Sequence, residues 1–406
     1  MSDNVWRRRA QTALAWMFGA VCLVFLGVLG LWLYVSATAT PLHPDAQGVP
    51  SVAGPAPLPR WSGAVERARQ IVRANLIERN LPGLSVAVGS GGNIVWAEGF
   101  GWADLEQRVR VTPDTRFRIG TASVALTSAA VGVLVERGQL ALDDEIQTHV
   151  PGYPRKQWPV TVRQLMAHVA GVRNDSGDEG PLLSQHCEGP VEGLRAFADR
   201  PLLFEPGTQF RFSSYGWILV SAAVEAAAHD EPFLGFMRRK IFAPLGMNDT
   251  VPDSSTEPVP NRATPYFPKF AADPRYGPDV MREIDYSCYA GSSVFVSTPS
   301  DLVRFAMGIS SGTLLEPATV QLLQTSQRLA SGAETGYGLG WDRETATVAG
   351  RQTPLFGHDG DVLGGRVASF MTLPEYGLTV SVISNISYAD TYDLGVKIAE
   401  VFATRH

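Results

Sequence analysis

Lysine is almost missing from this chain. Of 34 basic residues only Lys156, Lys240, Lys269 and Lys397 are lysines. The residues three positions before them are Tyr153, Met237, Tyr266 and Leu394. No Ser or Thr hydroxyl therefore precedes a lysine by one helical turn, the spacing at which an amine could take its proton. Cysteine is nearly as scarce, three in 406 residues, which excludes a disulfide-rich scaffold. The seven histidines are scattered, with no HExxH and no CxxC set, so neither a metal nor another cofactor is expected. The net charge of -6 offers no basic face to balance phosphate and argues against a nucleic-acid partner.

Charge is absent from one long stretch. Ala13 to Val35 reads ALAWMFGAVCLVFLGVLGLWLYV, long enough at about 1.5 Å per residue to cross a hydrocarbon core of about 30 Å. Arg7, Arg8 and Arg9 precede it, and basic flanks stay cytoplasmic, so the N-terminus is expected inside and the bulk of the chain exported, to the periplasm or cell exterior. The expected organisation is a cytoplasmic tail over 1–11, a transmembrane anchor over 12–36, a linker over 37–60 and one domain over 61–406. The competing reading is a signal peptide cleaved near Ala37-Thr38-Ala39, although the apolar run exceeds a secretory core of about 7–15 residues. Both readings export the domain. Six prolines between Pro41 and Arg60 suggest an extended tether that holds the domain off the membrane. Cys187 and Cys288 could pair in an oxidising compartment or remain buried thiols.

Beyond the linker, Trp61 to Asn80 has the apolar spacing of an amphipathic helix, and Leu84 to Asp104 alternates as a hairpin around GSGGN. A helical middle runs from Thr121 to about Leu245, including helices over 161–172 and 215–229. A further helix begins near Ser300 with a Ser/Asp cap, and strands then return before a last helix over about 390–403. Strands at both ends with helices between predict an α+β fold: one antiparallel sheet from the two termini, flanked by helices, with an all-helical subdomain.

Six segments carry a resemblance: VWAEGFGWADLEQRVRVTPDTRFRIG, VRQLMAHVAGVR, FEPGTQFRFSSYGWILVSAAVE, FAPLGMNDT, GYGLGW and FGHDGDVLGG. In this order they resemble the serine β-lactamase and penicillin-binding-protein-like hydrolases of the class C-like branch. The resemblance covers about residues 62–404. It implies a nucleophilic Ser and a base Lys in S-x-x-K after FRIG, a Tyr in Y-x-N, and a strand bearing K-T-G or H-x-G. Here Thr121 occupies the nucleophile position, Val124 the lysine position and Phe212 the tyrosine position, with Ser214 closing that motif. His358, Asp359 and Gly360 match the third motif. Asp361 follows, a carboxylate that would disfavour an anionic substrate or an oxyanion. His168 matches a family histidine read as structural.

Loss of a nucleophile or its base in a serine hydrolase costs about a millionfold in turnover, about 8 kcal/mol. An oxyanion hole and binding alone leave about 10³ to 10⁴ over water. The expectation is therefore an impaired or inactive homologue that binds a peptide, a cell-wall fragment or a protein partner. The alternative is a working esterase, β-lactamase or D-amino-acid peptidase in which His358 serves Thr121 or Ser214 as base. Thr121 is expected to cap the central helix and Val124 to pack in the core. Gly308-Ile309-Ser310-Ser311-Gly312 fits G-x-S-x-G but lacks the strand-to-helix context of a nucleophile elbow.

Overall fold

The computed structural model describes residues 2–174, 180–229 and 231–404. Met1 of the expected tail and residues 175–179, 230 and 405–406 of the expected domain lie outside them. Helix α1 (Ser2–Thr38) contains the charge-free run, and its stretch Trp16–Thr38 is long and apolar enough to cross a membrane.

The large sheet is antiparallel and built from both ends of the domain, as expected. Its main strands are β1 (Ser51–Ala53), β2 (Gly83–Ser90), β3 (Asn93–Asp104), β4 (Asp342–Val348), β5 (Arg351–Val362), β6 (Gly365–Leu373) and β7 (Leu378–Ser384). They lie in the order β1-β3-β2-β7-β6-β5-β4, and the short strand Val109–Arg110 pairs with β3. Gly91 and Gly92 adopt positive φ in the β2–β3 turn, which is why glycines stand there.

Each face of the sheet has its own apolar core. Alternation along β7 sends Val380 and Val382 to one core and Ile383 to the other. On the first side, α2 (Ser62–Glu78) presents Val65, Ala68, Val72 and Leu76, and the last helix (Thr391–Ala403) presents Leu394, Ile398 and Phe402. On the second side lie the central helix α3 (Ser123–Glu136), the helix Ser214–Ala227 and the helix Pro299–Ser310.

Several expectations change. Residues 161–172 are not one helix: it spans only Val162–Met166, because His168 and Gly171 take left-handed backbone with φ of 58° and 73°. The helix expected near Ser300 starts at Pro299 and is capped by Thr298, whose hydroxyl accepts from Asp301 N–H. The proline-rich linker is not a free tether. His43 and Val49 are buried, Leu42 N–H donates to Asn80 Oδ1 at 2.8 Å, and Ser51–Ala53 pairs with β3 as an edge strand. Prolines suit such a segment because it needs few ladder donors. Cys187 and Cys288 are joined in a disulfide. Ser310 lies in a helix and bonds back to Ala306 O, so G-x-S-x-G forms no elbow.

Candidate functional site

The fold brings Thr121, Val124, His358 and Gly360 to the junction of α3 with strand β5. The reason is a gap in the sheet. Strand β4 begins at Asp342, opposite Gly357, so β5 beyond that point has an open edge. The main-chain groups of Asp359 and Asp361 on that edge need partners from elsewhere. The Asp342 carboxylate accepts Asp359 N–H at 3.0 Å. The Thr121 hydroxyl takes two more: it donates to Asp359 C=O at 3.3 Å and accepts from Asp361 N–H at 2.9 Å.

Thr121 therefore does not cap the central helix, contrary to expectation. It sits in a 3-10 turn, Gly120–Ala122, and neither that turn nor α3 has a side-chain cap. Main chain packs directly on main chain here. A Cβ on Gly360 would come within 2.0 Å of Ile119 O, and one on Gly120, whose φ is 50°, within 1.9 Å of Asp361 O. Only glycine permits that approach.

The two positions that the resemblance assigns to proton transfer hold apolar side chains. Val124 is fully buried in the core, as expected. Phe212 stacks on His168, ring centroids 4.2 Å apart. His168 is buried, and burial holds its imidazole well below the usual histidine range, with nearby His358 adding to the shift. It is neutral and structural: Ser213 N–H donates to its Nδ1 at 3.0 Å where the helix Ser214–Ala227 begins, and Ser213 Oγ accepts from Gly216 N–H as the cap.

His358 is 4% exposed and engaged at both nitrogens. Its Nδ1 faces the carbonyl of Asp359, to which it donates, so Nε2 carries the lone pair and accepts from Tyr337 OH at 2.8 Å. Burial drives the Tyr337 phenol well above its ordinary range, so it stays protonated as that donor. A directional chain results: Tyr337 OH to His358, His358 to Asp359 C=O, Thr121 to the same carbonyl, and Asp361 N–H to Thr121. Neither nitrogen of His358 hydrogen-bonds to the hydroxyl of Thr121, Ser123 or Ser214. The hydroxyls of Ser123 and Ser214 are buried without a hydrogen-bond partner.

Tyr337 was not singled out by sequence reasoning. Its signal was the segment GYGLGW, where Tyr337 and Trp341 stand among glycines just before the β4–β5 hairpin that carries His358. Its ring lies between the two histidines, with centroids 5.0 Å from His168 and 5.8 Å from His358. Phe210, 41% exposed, packs on Tyr337 and His168 and forms an aromatic rim beside exposed Arg211.

An α+β domain with helices on both faces of one antiparallel sheet, and with a 3-10 turn and central helix abutting an open sheet edge, defines the penicillin-binding-protein-like hydrolase fold. The β-lactamase family profile matches residues 68–402, and the chain belongs to that family. It is 26% identical to the human serine beta-lactamase-like protein LACTB, mitochondrial, over 84% of this chain and 80% of that one. It is 25% identical to penicillin-binding protein 4* of Bacillus subtilis, over 66% of this chain and 61% of that one. Among solved structures, it superposes on the D-amino acid amidase of Ochrobactrum anthropi with a TM-score of 0.68 at 23% identity, covering 84% of this chain and 98% of that one. The octameric penicillin-binding protein homologue of Pyrococcus abyssi gives 0.67 at 23% identity, covering 84% and 76%. Both structural matches show the fold.

Proposed function

We propose that this protein is a membrane-anchored, exported member of the β-lactamase family that has lost acyl-enzyme chemistry. In this reading it acts by binding a peptide, a cell-wall fragment or a protein partner. The observation that carries the reading is the state of the Thr121 hydroxyl. Its proton goes to a main-chain carbonyl, which is no base, and its oxygen takes the Asp361 N–H that an open sheet edge would otherwise offer to an oxyanion. Val124 has no proton-accepting atom, and His358 is turned toward Tyr337.

Export is supported by Arg7, Arg8 and Arg9 ahead of the apolar helix and by the Cys187–Cys288 bond, which suits an oxidising compartment. The exposed Phe210 and Arg211 beside the closed site suit a ligand with an apolar group and a negative charge.

Incubation of the full chain in detergent with a fluorophosphonate or a β-lactam probe, followed by mass mapping, is expected to give no adduct. Stoichiometric labelling at Thr121, Ser123 or Ser214 would overturn the proposal and restore the hydrolase with His358 as base. The combined variant Thr121→Ser, Val124→Lys and Phe212→Tyr is expected to gain measurable acylation. Its complete inertness would mean that drift extends beyond these three positions.

A further inference from the structure

The linker leaves the apolar helix and first meets the domain at Asn80. Asn80 follows α2 in left-handed conformation, φ 52°. Its Oδ1 accepts from Leu42 N–H at 2.8 Å, and its Nδ2 donates to Thr40 O at 3.2 Å and to Arg275 O at 3.5 Å. His43, buried, approaches Leu81 O at 3.1 Å through Nε2. Helix exit, α2 and the loop carrying Arg275 are thus clamped together.

That loop, Lys269 to Gly277, joins the two short strands Tyr266–Pro268 and Pro278–Val280. Its Tyr276 hydroxyl accepts a hydrogen bond from the indole of Trp32 at 2.8 Å. Trp32 lies in the last turn of the apolar run that ends at Val35, toward the outer end of the stretch Trp16–Thr38. Trp32 and Tyr276 therefore sit together at the outer edge of the apolar zone, the level that Trp and Tyr favour. Phe270 packs edge-on against Tyr276, centroids 5.6 Å apart. Ala271 and Ala272 form an exposed small apolar tip, and Val280 is 67% exposed. Lys269 and Arg275 flank the tip and are exposed, with Asp273 paired to Arg275 at 2.6 Å and exposed Asp279 3.9 Å from Lys269 Nζ. An apolar tip with aromatic anchors and flanking cations is the chemistry of a lipid interface, where long basic side chains reach the phosphates.

We propose that the loop Lys269–Gly277 is a second membrane contact, seated in the outer lipid interface beside the apolar helix and holding the domain against the bilayer in one orientation. The inference rests on the reading of that helix as a membrane span. It replaces the picture of a domain held off the membrane by a tether.

The test uses the full chain carrying Cys22→Ala. Cys22 is the free cysteine and the other two are joined, so one introduced thiol can be labelled. Ala272→Cys, Leu29→Cys and Ser331→Cys, the last in an exposed loop before β4, each receive an environment-sensitive fluorophore. The proteins are reconstituted in vesicles of phosphatidylcholine and phosphatidylglycerol with headgroup- or acyl-spin-labelled lipid. The expected result is quenching at Leu29 by the acyl label, blue-shifted emission with headgroup quenching at Ala272, and neither at Ser331. Quenching at Leu29 with Ala272 behaving like Ser331 would overturn the loop contact and leave the span intact. Absence of quenching at Leu29 would overturn both readings, and equal quenching at all three would overturn a specific contact. Adding Phe270→Ser and Tyr276→Ser should weaken quenching at Ala272 while Leu29 keeps its signal; an unchanged Ala272 signal would remove the aromatic pair from the contact.

Discussion

Two polar clusters in this domain invite the same chemical question and differ in opposite ways. Around Thr121 the fold supplies a central helix abutting an open sheet edge, with Val124 and Phe212 at the positions where the resemblance expects a lysine and a tyrosine. Around Asp285 the side chains of a catalytic triad are present, but their arrangement is wrong. His186 Nδ1 bonds Asp285 at 2.9 Å, Ser255 donates to the same carboxylate at 2.6 Å, and Ser287 supplies its N–H at 2.8 Å. A triad needs the serine on the other imidazole nitrogen. Here His186 Nε2 faces Glu188 at 3.7 Å, and the Ser287 hydroxyl accepts from Cys187 N–H. Reactive side chains gather in one place and reactive geometry survives in the other. In both, the hydrogen bonds that form hold the reactive side chains to neighbouring groups rather than to one another in a catalytic order.

The comparison breaks most forcefully at the disulfide, which staples the Asp285 cluster across a sequence separation of 101. Cys187→Ser with Cys288→Ser should cost about 2–4 kcal/mol in urea unfolding. A loss below about 1 kcal/mol would mean that the cluster holds without its staple.

Next in size is Asp285 itself. Burial pushes its carboxyl up, yet bonds from Ser255, Ser287 and His186 outweigh this and hold it at about 2. A carboxylate depressed in the folded state stabilises above its unfolded value of about 3.9 and loses that contribution as pH falls through 2. Asp285→Asn should therefore cost about 2 kcal/mol at neutral pH and flatten the acid limb of the stability curve. An unchanged acid limb would show that other groups set it.

Thr121→Val should come third. It removes the Thr121 hydrogen bonds to Asp361 N–H and Asp359 C=O, a cost of about 1–2 kcal/mol. Ester turnover by the variant should equal that of the wild type; a drop would return a chemical role to the hydroxyl.

Asp359 differs in kind, because its contribution is read as a slope with pH rather than as a loss at one pH. Burial, opposed by Arg366 and reinforced by Asp342, raises its carboxyl to about 7. The folded state then binds its proton more tightly than the unfolded chain does, so stability falls as pH rises from about 4 to 7 and levels off above. Asp359→Asn should flatten that fall in thermal melts between pH 4 and 8. A parallel curve would place the titration elsewhere.

Much of the fold was legible because its signals are local. The alternation in LSVAV and LTVSVIS, the GSGGN turn and the apolar spacing after Trp61 each state a period that the structure keeps. The break at His168 was not legible, because left-handed backbone at a histidine is imposed by contacts with Ser213 and Phe212 distant in sequence. The same holds for Thr121: a hydroxyl before an apolar helix reads as a cap, and only β5, more than two hundred residues later, reveals its partners. Tyr337 escaped because an aromatic in a glycine-rich segment has no periodic signature.

The sequence by itself determined what this protein lacks, a lysine one helical turn after a Ser or Thr, a tyrosine at position 212 and a metal motif, and that it carries a charge-free run of bilayer length. Those statements depend on residue identity and spacing, which no fold can alter. Only the tertiary structure decided what the remaining groups do. Hydrogen bonds are short-ranged and directional, so the roles of Thr121, His358, Asn80 and Tyr276 were set by neighbours far away in the chain.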